Sequence, residues 1–278
     1  MEIFDAAWLA LREPIDGRSR AELLLKHLYG AWEERAWTRI LDLGSGTGAN
    51  FRYLAPRLPG EQVWVLLDHD RSHTQKLARL QRPALVSGLT IICGDVAEEG
   101  LTAVQDTDLV TASAMLDLVS EGWLQRIVSC CLATGCGAYF PLNYNGGINW
   151  LPKHATESGG NTVVNDNLVR EAVNTHQLTD KGLGPALGPL AVQKAERLFR
   201  EAGYWTLSVE SPWLLGAADA PMVRRLLEGW VSAVADLYSG DVSELQVWAD
   251  ERLEDVSRGR CILRVGHSDL LALPPGRV

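Results

Sequence analysis

The chain has 278 residues, 46% of them hydrophobic and 22% charged, which is ordinary globular composition and enough for one large α/β domain or a domain with a substantial insertion. With 26 basic against 35 acidic residues the formal charge is −9, which argues against nucleic acid as a partner and favours small molecules. No apolar run reaches membrane-spanning length, and Met1-Glu-Ile-Phe-Asp5 lacks the basic start and apolar core of a signal peptide, so a cytoplasmic protein with no membrane partner is expected.

In chain order, Ala7, Trp8 and Leu11, with Phe4 before them, mark one face of a short helix that Pro14 is expected to stop. Leu23, Leu24, His27 and Leu28 continue the spacing in a second helix. Next comes Arg39-Ile-Leu-Asp-Leu-Gly-Ser-Gly-Thr-Gly-Ala-Asn50, in which Ile40, Leu41 and Leu43 suit a buried parallel strand. Gly44, Gly46 and Gly48 then permit a sharp turn and close approach of a ligand to bare backbone. Gly44-x-Gly46-x-x-Ala49 also satisfies the looser dinucleotide fingerprint, in which a pyrophosphate sits on a helix N-terminus, so the glycines leave two readings open.

Asp42 weighs against pyrophosphate, because a carboxylate two residues before the first glycine repels phosphate and suits an ammonium group. Here Asp42-Leu-Gly44-Ser-Gly46-Thr-Gly48 resembles the first motif of the class I methyltransferases that use S-adenosylmethionine (SAM). Gln62-Val-Trp-Val-Leu-Leu-Asp68 reads as a second buried strand, and Asp68 falls at the spacing of a carboxylate that bonds both ribose hydroxyls. Asp70 is expected to cap the helix that follows. Leu89-Thr-Ile-Ile-Cys-Gly-Asp95 reads as a third strand, and Asp106 to Leu118 as the fourth with its loop.

The resemblance implies a cofactor cradle made by Asp42, Gly44, Ser45 and Gly46, with Asp68 on the ribose and His69 near the adenine. It further implies that Asp95 faces the adenine amino group, that Val96 donates its backbone N–H to the ring, and that carbonyls near Ser113 face the ammonium. In such enzymes N-terminal helices fold over the cofactor as a lid, which makes Trp8, Arg12 and Arg20 lining residues, with Arg20 on the methionyl carboxylate. The plain alternative is that Trp8 packs and the arginines are solvated. The opening Trp8-Leu-Ala-Leu-Arg-Glu13 with Asp16 also resembles a largely uncharacterised bacterial group of these enzymes, which brings no acceptor with it.

Trp123, Ile127 and Val128 lie on a helix, and residues 135–145 supply the fifth strand. About 40 residues rich in Gly, Asn and Thr then precede Pro189, too long for a plain connection, and are read as a partly helical substrate cap over 146–188, with Val163 to Val173 at helical spacing. A helix from Pro189 to Ala202, a sixth strand from Tyr204 to Glu210, a helical insertion over 217–258 and a seventh strand from Cys261 to His267 complete the chain, with an unstructured tail from Leu271. The expected organisation is lid helices over 1–38, a cofactor-binding core over 39–145, the cap, and the rest of the core over 189–278. The fold class is α/β: a seven-stranded, doubly wound, mostly parallel sheet with an antiparallel seventh strand.

Five cysteines include Cys130-Cys131-x-x-x-x-Cys136, without the paired spacing of a zinc site, so reduced buried thiols and no metal are expected. Candidate bases are His176, Asp117 and Tyr144, with Asn143 orienting and Trp150 as an aromatic wall beside Trp213 and Trp230. Each has a plain alternative: His176 at the surface, Asp117 as an N-cap, Tyr144 as a wall, the tryptophans as packing. The expected activity is methyl transfer from SAM to an oxygen or nitrogen of a small metabolite, with a homodimer as the assembly considered. A non-catalytic SAM-binding module and an NAD(P)-dependent oxidoreductase remain as the other readings.

Overall fold

The computed structural model describes residues 5–153, 164–235 and 242–276. Phe4, Val163 and residues 236–241 of the expected helical insertion lie outside the described residues. Helices α1 (Ala6–Ser19) and α2 (Glu22–Glu34) come first, followed by β1 (Arg39–Leu43), α3 (Ala49–Leu54), β2 (Gln62–Asp68), α4 (Arg71–Leu77), β3 (Val86–Cys93), α5 (Glu99–Ala103) and β4 (Leu109–Thr111). Then come α6 (Glu121–Thr134), β5 (Gly137–Pro152), α7 (Asp166–Gln177), α8 (Ala191–Glu201), β6 (Trp205–Glu210), β7 (Trp213–Leu215), α9 (Ala220–Ala235), α10 (Val242–Ser257) and β8 (Cys261–Leu273).

The sheet order is β3-β2-β1-β4-β5-β8-β6, with β7 also paired to β8. Strands β1 to β5 run parallel, and β8 is antiparallel to β5, β6 and β7. The doubly wound α/β class is as expected, with eight strands in place of seven. The chain order reverses between β1 and β4, so the carboxyl ends of these strands frame the crevice where open α/β sheets bind ligands. Leu41, Leu43, Leu66 and Leu67 are fully buried, which is why these strands read as continuous apolar runs.

Four expectations need correction. Pro14 does not stop α1, which continues to Ser19 because Ile15, Asp16 and Arg20 are buried against the core and outweigh a penalty of about 3 kcal/mol for an interior proline. The fifth strand does not end at Asn145; β5 pairs with β8 as far as Pro152, with irregularities at Phe140/Asn143 and Tyr144/Ile148 that absorb the glycines. The chain therefore leaves the sheet after residue 152 instead of at 146. Leu271 and Ala272, expected in a loose tail, are fully buried in β8.

The extended ends of β5, β8 and β7, with α7, α9 and α10, enclose their own apolar core containing Trp213, Trp230 and Trp248. Two further cores lie on the faces of the central sheet. No helix among the described residues is long and apolar enough to cross a membrane.

Asp269 on β8, fully buried, ties these parts together. Its carboxylate accepts from the Ala21 N–H at the α1–α2 junction (2.9 Å), from the Leu142 N–H (2.7 Å) and from Ser211 Oγ (2.5 Å). Leu142 has a left-handed φ of 62°, a strained conformation for leucine that this bond holds in place. Asp269→Ala is expected to cost at least about 3 kcal/mol in urea unfolding, because three buried donors lose their acceptor. Hydrogen exchange at the amides of α2 should rise with it; a loss below about 1 kcal/mol would contradict this role.

Candidate ligand cleft at the glycine turn

The turn after β1 is left-handed at each glycine, with φ of 62° at Gly44, 54° at Gly46 and 89° at Gly48. A side chain at Gly44 would meet Met115 Sδ at 3.1 Å, and one at Gly46 would meet Leu9 of α1 at 3.3 Å, so the backbone is bare where α1 and the β4 loop close in. The N–H groups of the turn are largely spent. Ser45 donates to the Leu67 carbonyl at 3.0 Å, Gly48 to the Ser45 carbonyl at 2.8 Å, and Gly46 to Asp68 Oδ2 at 2.7 Å. A pyrophosphate would find a carboxylate where it needs donors.

Around this turn lies a cleft in two adjoining halves, both open to solvent. One spans about 550 Å³ and is lined by Asp68, His69, His73, Met115 and Leu118. The other spans about 410 Å³ and is lined by Asp16, Ser45, Thr47, Ala49 and Asn50. Leu9, Arg12, Gly44, Gly46, Ser113 and Ala114 line both, so they mark the junction.

Asp68, at the end of β2, is 4% exposed and bonds the N–H groups of Gly46 and Asp70, at 2.7 and 2.8 Å. The His73 and His69 rings stand 3.6 and 3.7 Å from its Oδ1. Both ring nitrogens of His69 are shielded from solvent and lack a hydrogen-bond partner in the protein. Asp70 caps α4 by accepting from the Ser72 N–H, as expected.

Asp42 sits behind the turn, fully buried, and starts a chain of polar contacts. Asn50 Nδ2 donates to Asp42 Oδ1 (2.7 Å) and to Thr111 Oγ1 (3.1 Å), and Asn50 Oδ1 accepts from Arg20 (2.6 Å). Arg20 also donates to Ser113 Oγ (3.2 Å) and lies over the Tyr53 ring at 4.4 Å. Asp42 Oδ2 is buried without a partner. Burial pushes the Asp42 carboxyl up to about 7, against the Asn50 hydrogen bond and the Arg20 charge, which both favour the anion.

Arg12 on α1 donates to Asp16 through Nε (2.8 Å) and lies over Trp213 at 5.1 Å; Trp213 Nε1 in turn donates to Asp16 at 3.0 Å. His267 packs on the other side of this group, 4.5 Å from Trp213, and burial together with the Arg12 charge holds it down to about 3, so it is neutral near pH 7.

The structure thus brings Asp42, Gly44, Ser45, Gly46, Asp68, His69, Ser113, Arg12 and Arg20 around one turn, with Arg20 reaching the cleft wall through Asn50 and Ser113. Other expected residues fall elsewhere. Asp95 is exposed and accepts from the Ala97 N–H at 2.6 Å, closing the turn after β3 without lining the cleft. Val96 is buried in the central core, its carbonyl accepting from Trp123.

Trp8 and Trp150 pack against the outer core; Trp150 meets Trp248 edge to face at 6.1 Å, so it is packing and not a wall. Trp213 and Trp230 are core residues too. Asn143 is fully buried and spent: it accepts from the Leu116 N–H and donates to the Phe140 carbonyl. Tyr144 donates to Asn174 at 2.8 Å, and burial moves its hydroxyl above the ordinary phenol range. His176 is at the end of α7, 3.4 Å from Lys181 Nζ. Asp117 is buried in the loop after β4, but the cap of α6 is Ser120. None of these three candidate bases lines the cleft.

Asn50, His73, Leu9 and Met115 escaped the sequence reading. Leu9, Arg12, Asp16 and Arg20 recur at helical spacing, a stripe that could have identified the cleft face of α1; Trp8 lies about 100° round the helix from Leu9.

Among the described residues no cluster of three or more His, Cys, Asp or Glu could hold a metal. The cysteines in those residues are free, with Cys131, Cys136 and Cys261 buried.

The raised Asp42 carboxyl has a stability consequence. A folded-state value of about 7 against 3.8 when exposed means that the folded chain holds the extra proton between these limits, so this group's contribution is full at acid pH and is lost as pH rises towards 7. Asp42→Asn, which cannot ionise, should gain on the wild type from pH 4.5 to 7, by up to about 1.4 kcal/mol per pH unit. A constant difference across that range would contradict a neutral, buried Asp42.

No protein-family model and no curated protein matches the chain. Among solved structures, it is similar to a SAM-dependent methyltransferase from Thiobacillus denitrificans in complex with S-adenosyl-L-homocysteine, with 16% identity over 99% of this chain and 100% of that one, at a TM-score of 0.47. It is also similar to the YcgJ protein of Bacillus subtilis, with 13% identity over 92% of this chain and 100% of that one, at 0.48. A third is a SAM-dependent methyltransferase from Geobacter sulfurreducens, again with S-adenosyl-L-homocysteine, with 15% identity over 92% of each chain, at 0.43.

Proposed function

We propose that the protein is a SAM-dependent methyltransferase acting on a small molecule. The observation that carries this reading is the glycine turn flanked by two carboxylates, Asp42 and Asp68, with its Gly46 N–H already bonded to Asp68. Such a turn repels a diphosphate and suits a ligand that joins an ammonium group to a nucleoside.

The donor set fits that ligand. Asp68 offers acceptors for ribose hydroxyls at the end of β2, and the partnerless nitrogens of His69 lie beside it. Met115 and Leu118 supply apolar contact for a base. At the other half of the cleft Ser45, Ala49 and Asn50 would receive the amino-acid end, and the partnerless Oδ2 of Asp42 lies behind them.

Bound there, SAM supplies an activated methyl group on a sulfonium. The chain's own task is alignment and exclusion of water, which in well-oriented cases lowers a barrier by about 7–11 kcal/mol. Helix α1 covers the cleft and is fastened by Arg52 on Glu13 (2.6 and 2.5 Å) and Arg18 on Asp219 (2.7 Å).

Calorimetry tests the reading. S-adenosyl-L-homocysteine should bind at micromolar concentration, NAD(H) should not, and Asp68→Ala should weaken S-adenosyl-L-homocysteine at least tenfold. Tight NAD(H) binding would contradict it.

A further inference from the structure

The six residues that line both halves of the cleft are Leu9, Arg12, Gly44, Gly46, Ser113 and Ala114. If the nucleoside and the amino-acid end occupy the two halves, the sulfur that joins them lies at this junction, and these residues also face the acceptor. Arg12 is the charged member of the six. It cannot take a proton, and the cleft groups that can, Asp16, Asp68, His69 and His73, each line one half and not the junction.

Arg12 is built to present one edge. Its Nε and one terminal nitrogen are turned to Asp16, at 2.8 and 3.4 Å, and its guanidinium rests over Trp213. The other terminal nitrogen, Nη1, makes no hydrogen bond to the described residues. A guanidinium has donors only, so the group that meets this edge must be an acceptor; a protonated amine would meet donors and like charge.

Beside Asp16 and Ala49 lies a bay lined by Arg20, Arg52, Arg57 and Tyr53, together with the acids Glu13 and Asp16. Arg52 is satisfied by Glu13, whereas Arg20 and Arg57 stack on Tyr53, at 4.4 and 4.0 Å, with no carboxylate among the described residues within 4 Å. Three arginines against two acids leave this bay with one cation in excess, in a chain of net charge −9.

We propose that the acceptor is a small-molecule carboxylate, oriented by the free edge of Arg12 on its Trp213 shelf, and that the product is the methyl ester. This rests on the cleft being the SAM site. A carboxylate oxygen lone pair forms the new C–O bond as the methyl C–S bond breaks, and that bonding pair stays on sulfur. The carboxylate and sulfonium charges disappear together and no proton moves. A carboxylate is already ionised at neutral pH, so the reaction needs no base, which matches a junction without one.

The test uses benzoate as probe and benzamide as its uncharged counterpart, added to protein saturated with S-adenosyl-L-homocysteine and followed by the arginine Nε–H signals in 15N NMR. Benzoate should shift one arginine signal, benzamide should not, and the shifting signal should be missing in Arg12→Lys. Benzoate affinity should fall at least tenfold in Arg12→Ala and return in part in Arg12→Lys. In parallel, methyl-labelled SAM and a small-molecule extract should yield product whose label is released by alkali as methanol. Alkali-stable label, or a benzoate response unchanged in Arg12→Ala, would overturn the proposal while the cofactor reading stands. Failure of the wild-type protein to bind S-adenosyl-L-homocysteine would instead overturn the cofactor reading.

Discussion

The hydrogen bond from Gly46 N–H to Asp68 is the contact on which the rest of the cleft depends. It joins the turn after β1 to the end of β2, and it converts a backbone amide that could hold phosphate into the support of a carboxylate. With Ser45 and Gly48 also bonded internally, the turn has lost the donors of an anion nest and faces the Asp68 carboxylate, while the Asp42 carboxyl lies buried beneath it.

A second constraint fixes what covers the cleft. The α1–α2 junction is pinned from below by Asp269 and Arg20, while Arg18 and Glu13 fasten α1 at its surface. The buried contacts matter most, since exposed ion pairs contribute roughly 0–1 kcal/mol each. Asp269 also holds Leu142 in its left-handed turn, so the strand that bends at the cleft and the helices that roof it share one anchor. The outer core of α7, α9 and α10 then sets Trp213 beneath Arg12, linking the part of the chain beyond β5 to the junction of the two cleft halves.

The central sheet was legible because its signals are local. Apolar runs ending in Asp42 and Asp68, three glycines and an Asx cap at Asp70 each reflect backbone requirements of a few neighbouring residues. What was hidden depends on distant partners. Pro14 in mid-helix, β5 running through Gly146 and Gly147, and the buried Leu271 are tolerated because other elements pack against them, which no window of sequence reports. The acids show the same divide: Asp68 at the end of β2 bonds the Gly46 N–H of the glycine turn, while Asp95 accepts from Ala97 in its own loop. The polar residues after β4 and β5 were candidates for chemistry, yet Asn143 and Tyr144 bond the protein itself, and only a three-dimensional contact could distinguish the two.

The central claim, that Asp42 lies in wait for a cation behind the glycine turn, has a direct measurement. In protein labelled with 13C at the aspartate carboxyls, one signal should titrate near pH 7 in the free state and disappear in Asp42→Asn. Adding S-adenosyl-L-homocysteine should keep that carboxyl ionised well below pH 7, because the ligand's ammonium stabilises the anion. Binding of the ligand with the Asp42 titration left where it was would contradict the account.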